Sequence, residues 1–189
     1  MILSLMAVSL LFLAGMGLIL AIYAVVVYNS LVHDRVEADK MWSQIDVQLK
    51  RRHDLIPNLV ETVKGVMDFE KGTLTQVVEA RSSSISAVNT ADRIKAENRI
   101  TAGLGRIMGL WENYPILKSN ENAVHLQQEL TATENRLSDI REIYNDTVGH
   151  FNTLVQEFPS TLVAGVSGFK PREFLKSSDQ DKETPQVRF

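Results

Sequence analysis

No Asp, Glu, Lys or Arg precedes Asp34, and residues 1–27 are almost all Leu, Ile, Val, Ala, Met, Phe or Gly. As a helix rising about 1.5 Å per residue, such a stretch runs about 40 Å, enough to cross a hydrocarbon core of about 30 Å with some tilt. A core helix of a globular protein is rarely this long and this uniformly apolar. A cleaved secretory signal is the rival, and it needs a basic start, a shorter apolar centre and a small-residue cleavage site, none of them clear here. The fragment Leu13-Ala14-Gly15-Met16 has the outline of a lipoprotein processing site, but Met16 stands where the lipid-accepting cysteine belongs and the chain contains no cysteine. The sequence therefore predicts a retained transmembrane anchor over residues 1–28, with its helix continuing outward through Tyr28 and Asn29.

Subtracting the anchor leaves about 160 residues, the size of one domain. We place that domain at residues 29–176 and expect the polar tail SSDQDKETPQVRF, residues 177–189, to be disordered or to serve as a short docking motif. A net charge of -3 creates no basic field to attract nucleic acid. The missing cysteines exclude disulfides and thiolate chemistry but do not name a compartment. Basic residues following the anchor are Arg35, Lys40 and the run Lys50, Arg51, Arg52. By the positive-inside tendency they point the helical domain to the cytoplasmic face of the inner membrane, with Asp34, Glu37 and Asp39 diluting the bias.

Beyond the anchor, apolar residues recur at steps of three and four, the helical period, rather than at the step of two that marks a strand. The first seam runs Trp42, Ile45, Leu49, Arg52, Ile56, Leu59, Val63, Val66. A middle seam runs Ile100, Leu104, Ile107, Trp111, Tyr114, with a weaker start at Leu74, Val77, Val78 and Arg81. The last runs Leu126, Leu130, Thr133, Leu137, Ile140, Tyr144, Thr147, Phe151, Leu154, Phe158. At about 1.5–3 kcal/mol per well-buried large side chain, these stripes dominate the stability once they face one another.

Punctuation is sparse. Gly72 is a candidate glycine cap between the first and second helices. Pro115 and three asparagines mark a connection at residues 112–122, with Ser119 or Asn120 as the next cap, and Phe158-Pro159 ends the last helix. The expected fold is all-α: a transmembrane helix continuing into an antiparallel bundle, up-down-up, of helices of about 40 residues with a coiled-coil-like twist. In that topology the second helix returns toward the bilayer and brings Trp111 and Tyr114 near the membrane surface, either anchored in the lipid interface or simply filling the seam.

Two residues break the pattern. Pro57 lies inside the first helix, where it has no amide proton and its ring presses on the carbonyl of His53, at a cost of about 3 kcal/mol in mid-helix. It marks a packing bend or a hinge. Arg52 occupies a seam position and needs a carboxylate; counting along equal-length helices offers Asp139 or Glu142, for a role in registry or in binding a ligand.

The blocks YNSLV (28–32), WSQIDVQLKRRHDLIPNLVETVKG (42–65), ENYPILKSNENAVHLQQEL (112–130), TENRLSDIREIYNDTVGHFN (133–152) and FPSTLVAGVSGFKPREFL (158–175) together closely resemble the LemA family of bacterial membrane proteins. The resemblance covers nearly everything from Tyr28 to Leu175. It implies an N-terminal transmembrane helix before an antiparallel helical bundle, no established enzymatic chemistry or cofactor, and protein partners such as a membrane protease or another membrane protein. One subgroup resembling LemA takes part in forming magnetosome membranes. Phe69, with Val66, Met67 and Asp68 before it, departs from the more usual Tyr-Ala-x-His arrangement before Glu70, which puts in doubt any role for a histidine there.

No catalytic, cofactor-binding or metal-binding residues emerge. His33, His53, His125 and His150 are scattered, no two at the spacing that puts both on one helix face. His53-Asp54 reads as an ordinary solvent-facing or supporting pair. Ser82, Ser83 and Ser84 lack the glycine frame of a nucleophile elbow. Lys50 to Arg52 is too short a run for a phosphate-binding surface. Gly165 and Gly168 sit in an apolar stretch expected to fold back over the bundle end. Three functions compete: a membrane-anchored interaction scaffold that assembles with itself or another membrane protein, a membrane-shaping oligomer, and, least supported, an enzyme. The lipid bilayer, a protein partner and a second copy are the expected partners; nucleic acid is not.

Overall fold

The computed structural model describes residues 2–64 and 71–175, with side chains from Met6 onward. Six helices account for most of these residues, and no strand occurs among them: α1 (Ile2–Val63), α2 (Lys71–Ser86), α3 (Thr90–Trp111), α4 (Pro115–Ser119), α5 (Glu121–Gln156) and α6 (Ser160–Val166). The all-α expectation holds, with a long apolar N-terminal helix leading into further helices. Val66, Phe69 and the tail at 177–189 lie outside the described residues. The chain divides into two compact units, a terminal unit of α1 up to Trp42 with Ile143–Phe174 and a central unit containing Ser43–Glu142.

In the central unit the first seam appears as expected. Ile45, Leu49, Arg52, Ile56, Leu59 and Val63 are all buried along α1. The topology differs. Where one long middle helix was expected, α2 and α3 are separate antiparallel helices: Ser84 meets Glu97, and further along both helices Val77 lies against Gly103. Local chemistry ends one and starts the other. Ser82, Ser83, Ser84 and Ser86 weaken the end of α2, where Ser83 and Ser86 turn their hydroxyls onto carbonyls of their own helix. Asn89 then caps α3, its Oδ1 accepting the amide of Asp92 at 2.8 Å. Gly72, the expected break, is instead the second residue of α2.

This extra reversal of the chain inverts the direction of the helix after it. α3 runs parallel to α1, pairing Arg93 with Asp46 at 2.8 Å and Thr101 with Arg52, so Trp111 is buried beside Leu59 and Val63 at the C-terminal end of α1. Trp111 and Tyr114 are therefore seam residues, and the expected return of this segment toward the apolar end of α1 is corrected. Leu117 of the short α4 closes the same cluster. Asn120 is the cap of α5, accepting the amide of Ala123 at 3.1 Å, and α5 returns antiparallel to α1 with Ala123, Leu126 and Leu130 in the core.

In the terminal unit α1 and α5 continue antiparallel. Trp42 packs at a tilt against Tyr144 with ring centroids 5.7 Å apart, while Val27 and Leu31 pack on Phe151 and Val155. The last seam slips by one residue here: the buried positions are Tyr144, Val148, Phe151 and Val155, not Thr147 and Leu154, and Phe158 lies beyond the end of α5 and exposed. A cis Phe158-Pro159 bond leads into α6. The helix stops in a Schellman motif, with the Phe169 amide donating to Ala164 O at 3.0 Å and Gly168 at φ 74°, which a side chain would oppose. Phe169 then packs edge-on against Tyr28 and Phe151. Asn152 clamps the adjoining segment, accepting the Arg172 amide at 2.7 Å and donating to its carbonyl at 2.8 Å.

Candidate functional site

The densest polar chemistry sits within the central core. Arg52, on the buried face of α1, has no solvent exposure. Its guanidinium donates to Glu97 of α3, to Glu134 of α5 at 2.7 Å and to Thr101 at 2.7 Å, and Thr101 donates to Glu134 at 3.0 Å. Neither Asp139 nor Glu142 is the partner. The equal-length count failed because the middle of the chain is two helices, which brings Glu97 to the level of Arg52 and a different turn of α5 alongside.

Glu97 is almost wholly buried and collects three donors: Arg52, His53 Nε2 at 2.7 Å, and the Ser84 hydroxyl. Burial alone would raise its pKa. The hydrogen bond from His53, the Arg52 charge and the Ser84 hydroxyl outweigh that and hold the carboxyl at about 2. An ionised carboxylate only accepts, so His53 presents a protonated Nε2 to it. Of the two readings of His53-Asp54, His53 takes the supporting one, buried on Glu97, whereas Asp54 is solvent-facing.

Serine, histidine and a carboxylate do meet here, but in the wrong order for a nucleophile. A hydrolytic relay needs the hydroxyl to donate to the imidazole and the imidazole to the acid. Here Ser84 and His53 both donate to the same oxygen of Glu97, leaving the hydroxyl without a base. A carboxyl held at about 2 is also a poor general base near neutrality. What this arrangement does is join α1, α2, α3 and α5 at one level, because each ion is stranded if any helix shifts by a turn.

Beside it, the consequence of Pro57 is resolved. The His53 carbonyl, denied an amide by the proline ring, accepts Arg81 Nε of α2 at 2.7 Å. α1 remains helical through Pro57, and an arginine from the neighbouring helix replaces the missing donor.

The terminal unit holds a smaller cluster. Asp34, largely buried, sits between His33 at 3.2 Å and His150 at 2.6 Å, and Arg172 reaches Asp39 at 2.6 Å. Two histidines distant in sequence share one acid across α1 and α5, which no spacing along a single helix reveals. Burial pushes the Tyr144 phenol up from its ordinary value, with its hydroxyl on the Glu173 carbonyl at 3.3 Å. Of the basic run, Lys50 is exposed and Arg51 pairs with Glu129.

The family signature of LemA matches residues 41–189, spanning both the charged cluster and the clamp on the final segment. The chain belongs to the LemA family. Among its relatives, magnetosome protein MamQ of Magnetospirillum gryphiswaldense is 23% identical over 189 aligned residues, covering 85% of this chain and 70% of MamQ. MamQ 2 of Paramagnetospirillum magneticum is similar to the same extent. Protein LemA of Metamycoplasma hominis is 25% identical over 137 residues, covering 72% of this chain and 63% of that protein.

Proposed function

We propose that this LemA-family protein is a non-enzymatic, membrane-anchored interaction scaffold. The observation that carries this reading is the state of α1 before Tyr23. Leu10, Leu11, Phe12, Leu18 and Ile19 are all widely exposed, so a segment long and apolar enough to cross a membrane is left uncovered by the described residues of its own chain. Lipid is the covering that such a helix requires. Residues 1–28 are the anchor and residues 29–176 the helical domain, held at the inner membrane with the domain on the cytoplasmic side. The charged cluster supports a scaffold over an enzyme, since its groups are engaged with one another. Its partners are another membrane protein, a membrane protease being one candidate, or a second copy.

A membrane-shaping oligomer is the second reading, favoured by the relatives named as magnetosome proteins. The test is to solubilise the C-terminally tagged full chain in mild detergent, measure its native mass and identify what co-purifies. One stoichiometric membrane protein supports the scaffold; a large assembly of this chain alone supports membrane shaping. A lone protomer with no companion sinks both.

A further inference from the structure

From Phe158 through Phe169 the chain carries no charge, between Glu157 and Lys170. Within this stretch Ala164 is buried and Phe169 packs on Tyr28 and Phe151, so the segment is held firmly to α1 and α5. Yet Phe158, Leu162 and Val166 are 75%, 61% and 93% exposed. Leu162, Val163 and Val166 line a groove of about 490 Å³ whose other wall is Ala24, Val25 and Tyr28 of α1. α6 thus lies at the depth of residues 24–28.

That depth is informative. About 20 residues of helix span a hydrocarbon core, and the apolar run of α1 gives way to polar residues after Tyr28, so the segment leaves the core at about residues 24–28. Tyr23 and Tyr28 are residue types that favour that boundary, and Asn29 and Ser30 come directly after. Just beyond it Arg35 stands 5.3 Å over the Phe169 ring, and the exposed Lys170 adjoins Phe169.

We propose that α6 is a second membrane contact, a short helix lying in the bilayer interface beside the anchor. Phe158, Leu162 and Val166 enter the acyl boundary, and Arg35 and Lys170 meet anionic headgroups. The apolar surface is continuous with that of the anchor, so one lipid phase covers both, and the proposal rests on the reading of α1 as membrane-crossing. The Asn152 clamp and the Schellman turn at Gly168 are the devices that fix α6 in this position.

The absence of native cysteine makes a direct test available. Full-length Phe12→Cys, Leu162→Cys, Val166→Cys and Val47→Cys variants, each carrying an environment-sensitive fluorophore, are reconstituted in phosphatidylcholine–phosphatidylglycerol vesicles. Nitroxide lipids labelled near the headgroup should remove about half the emission at positions 162 and 166, while position 47 stays in water and is quenched by iodide. Position 12 should be reached by lipids labelled deep in the acyl chain. Quenching of position 12 with iodide access at 162 and 166 overturns the proposal and leaves the anchor standing. Blue-shifted but unquenched emission at 162 and 166 also overturns it, since a protein partner or second copy then covers α6. No lipid quenching at position 12 removes the anchor reading and the proposal with it.

Discussion

The central and terminal units are built from the same two long helices yet solve opposite problems. The central unit sets its ions against an apolar cluster that includes Ile56, Leu104, Ile107, Trp111 and Leu130, and neutralises Arg52 internally with Glu97 and Glu134. The terminal unit packs a smaller cluster around Val27, Leu31, Phe151, Val155 and Ala164 and keeps Asp34 beside two histidines that are themselves solvent-facing. Its apolar surface points outward. Along α1, large apolar residues thus leave the seam, where Ile56 and Leu59 are buried, for open positions such as Leu11 and Ile19.

The chain's two tryptophans make this contrast measurable, Trp42 in the terminal unit and Trp111 in the central one. The largest effect should come from Glu97→Leu, which takes one buried acceptor from Arg52, His53 and Ser84 at once and costs about 3–5 kcal/mol. Arg52→Met, which keeps the volume and leaves His53 and Ser84 on Glu97, should cost about half that. Thermal melts read from Trp111 in a Trp42→Phe background, and from Trp42 in a Trp111→Phe background, test both. Equal costs for the two substitutions would refute the asymmetric role of Glu97, and equal shifts at both reporters would show that the units melt as one.

Acid titration should give the next largest change. Glu97 is held at about 2, below its ordinary 4.5, so the stability it contributes is complete above 4.5 and drains away as pH falls from there toward 2. The Trp111 reporter should record this loss on the order of 3 kcal/mol, and Glu97→Gln should abolish it. A profile unchanged by Glu97→Gln would assign the acid sensitivity elsewhere.

Arg81→Met should cost about 1–3 kcal/mol by leaving the His53 carbonyl unpaired. In a Pro57→Ala background the restored amide satisfies that carbonyl, and the cost should fall below about 1 kcal/mol. Additive losses would break the pairing of proline with arginine. The smallest effect belongs to the terminal unit: Gly168→Ala, forced into a left-handed turn, should cost about 1 kcal/mol, seen by Trp42.

Much of the fold is legible because it is periodic. The seam from Ile45 to Val63 needed only the step of three and four, and Asn120 was one of two cap candidates, Ser119 being the other. Two of the misses share one origin. Treating residues 74–114 as one helix put Trp111 at the wrong end and assigned Arg52 to Asp139 or Glu142. The pattern held a better clue: stepping back three residues from Ile100 lands on Glu97, a carboxylate in a seam that already contained an arginine. In α5, beyond Tyr144, the stripe could be threaded through Thr147 or Val148, and periodicity alone does not choose between them.

By itself the sequence determined the helical class, the apolar N-terminal segment and the LemA family, since composition, period and motif blocks are properties of neighbouring residues. Only the tertiary structure decided that Arg81 of α2 supplies the donor that Pro57 removes from α1. It also decided that Ser84 and His53 direct their protons to one carboxylate, and that α6 returns to the level of Tyr28. These depend on which turn of one helix faces which turn of another. That register is set by the turn at Ala87–Asn89 and by the length of every helix before it, and no local propensity carries it.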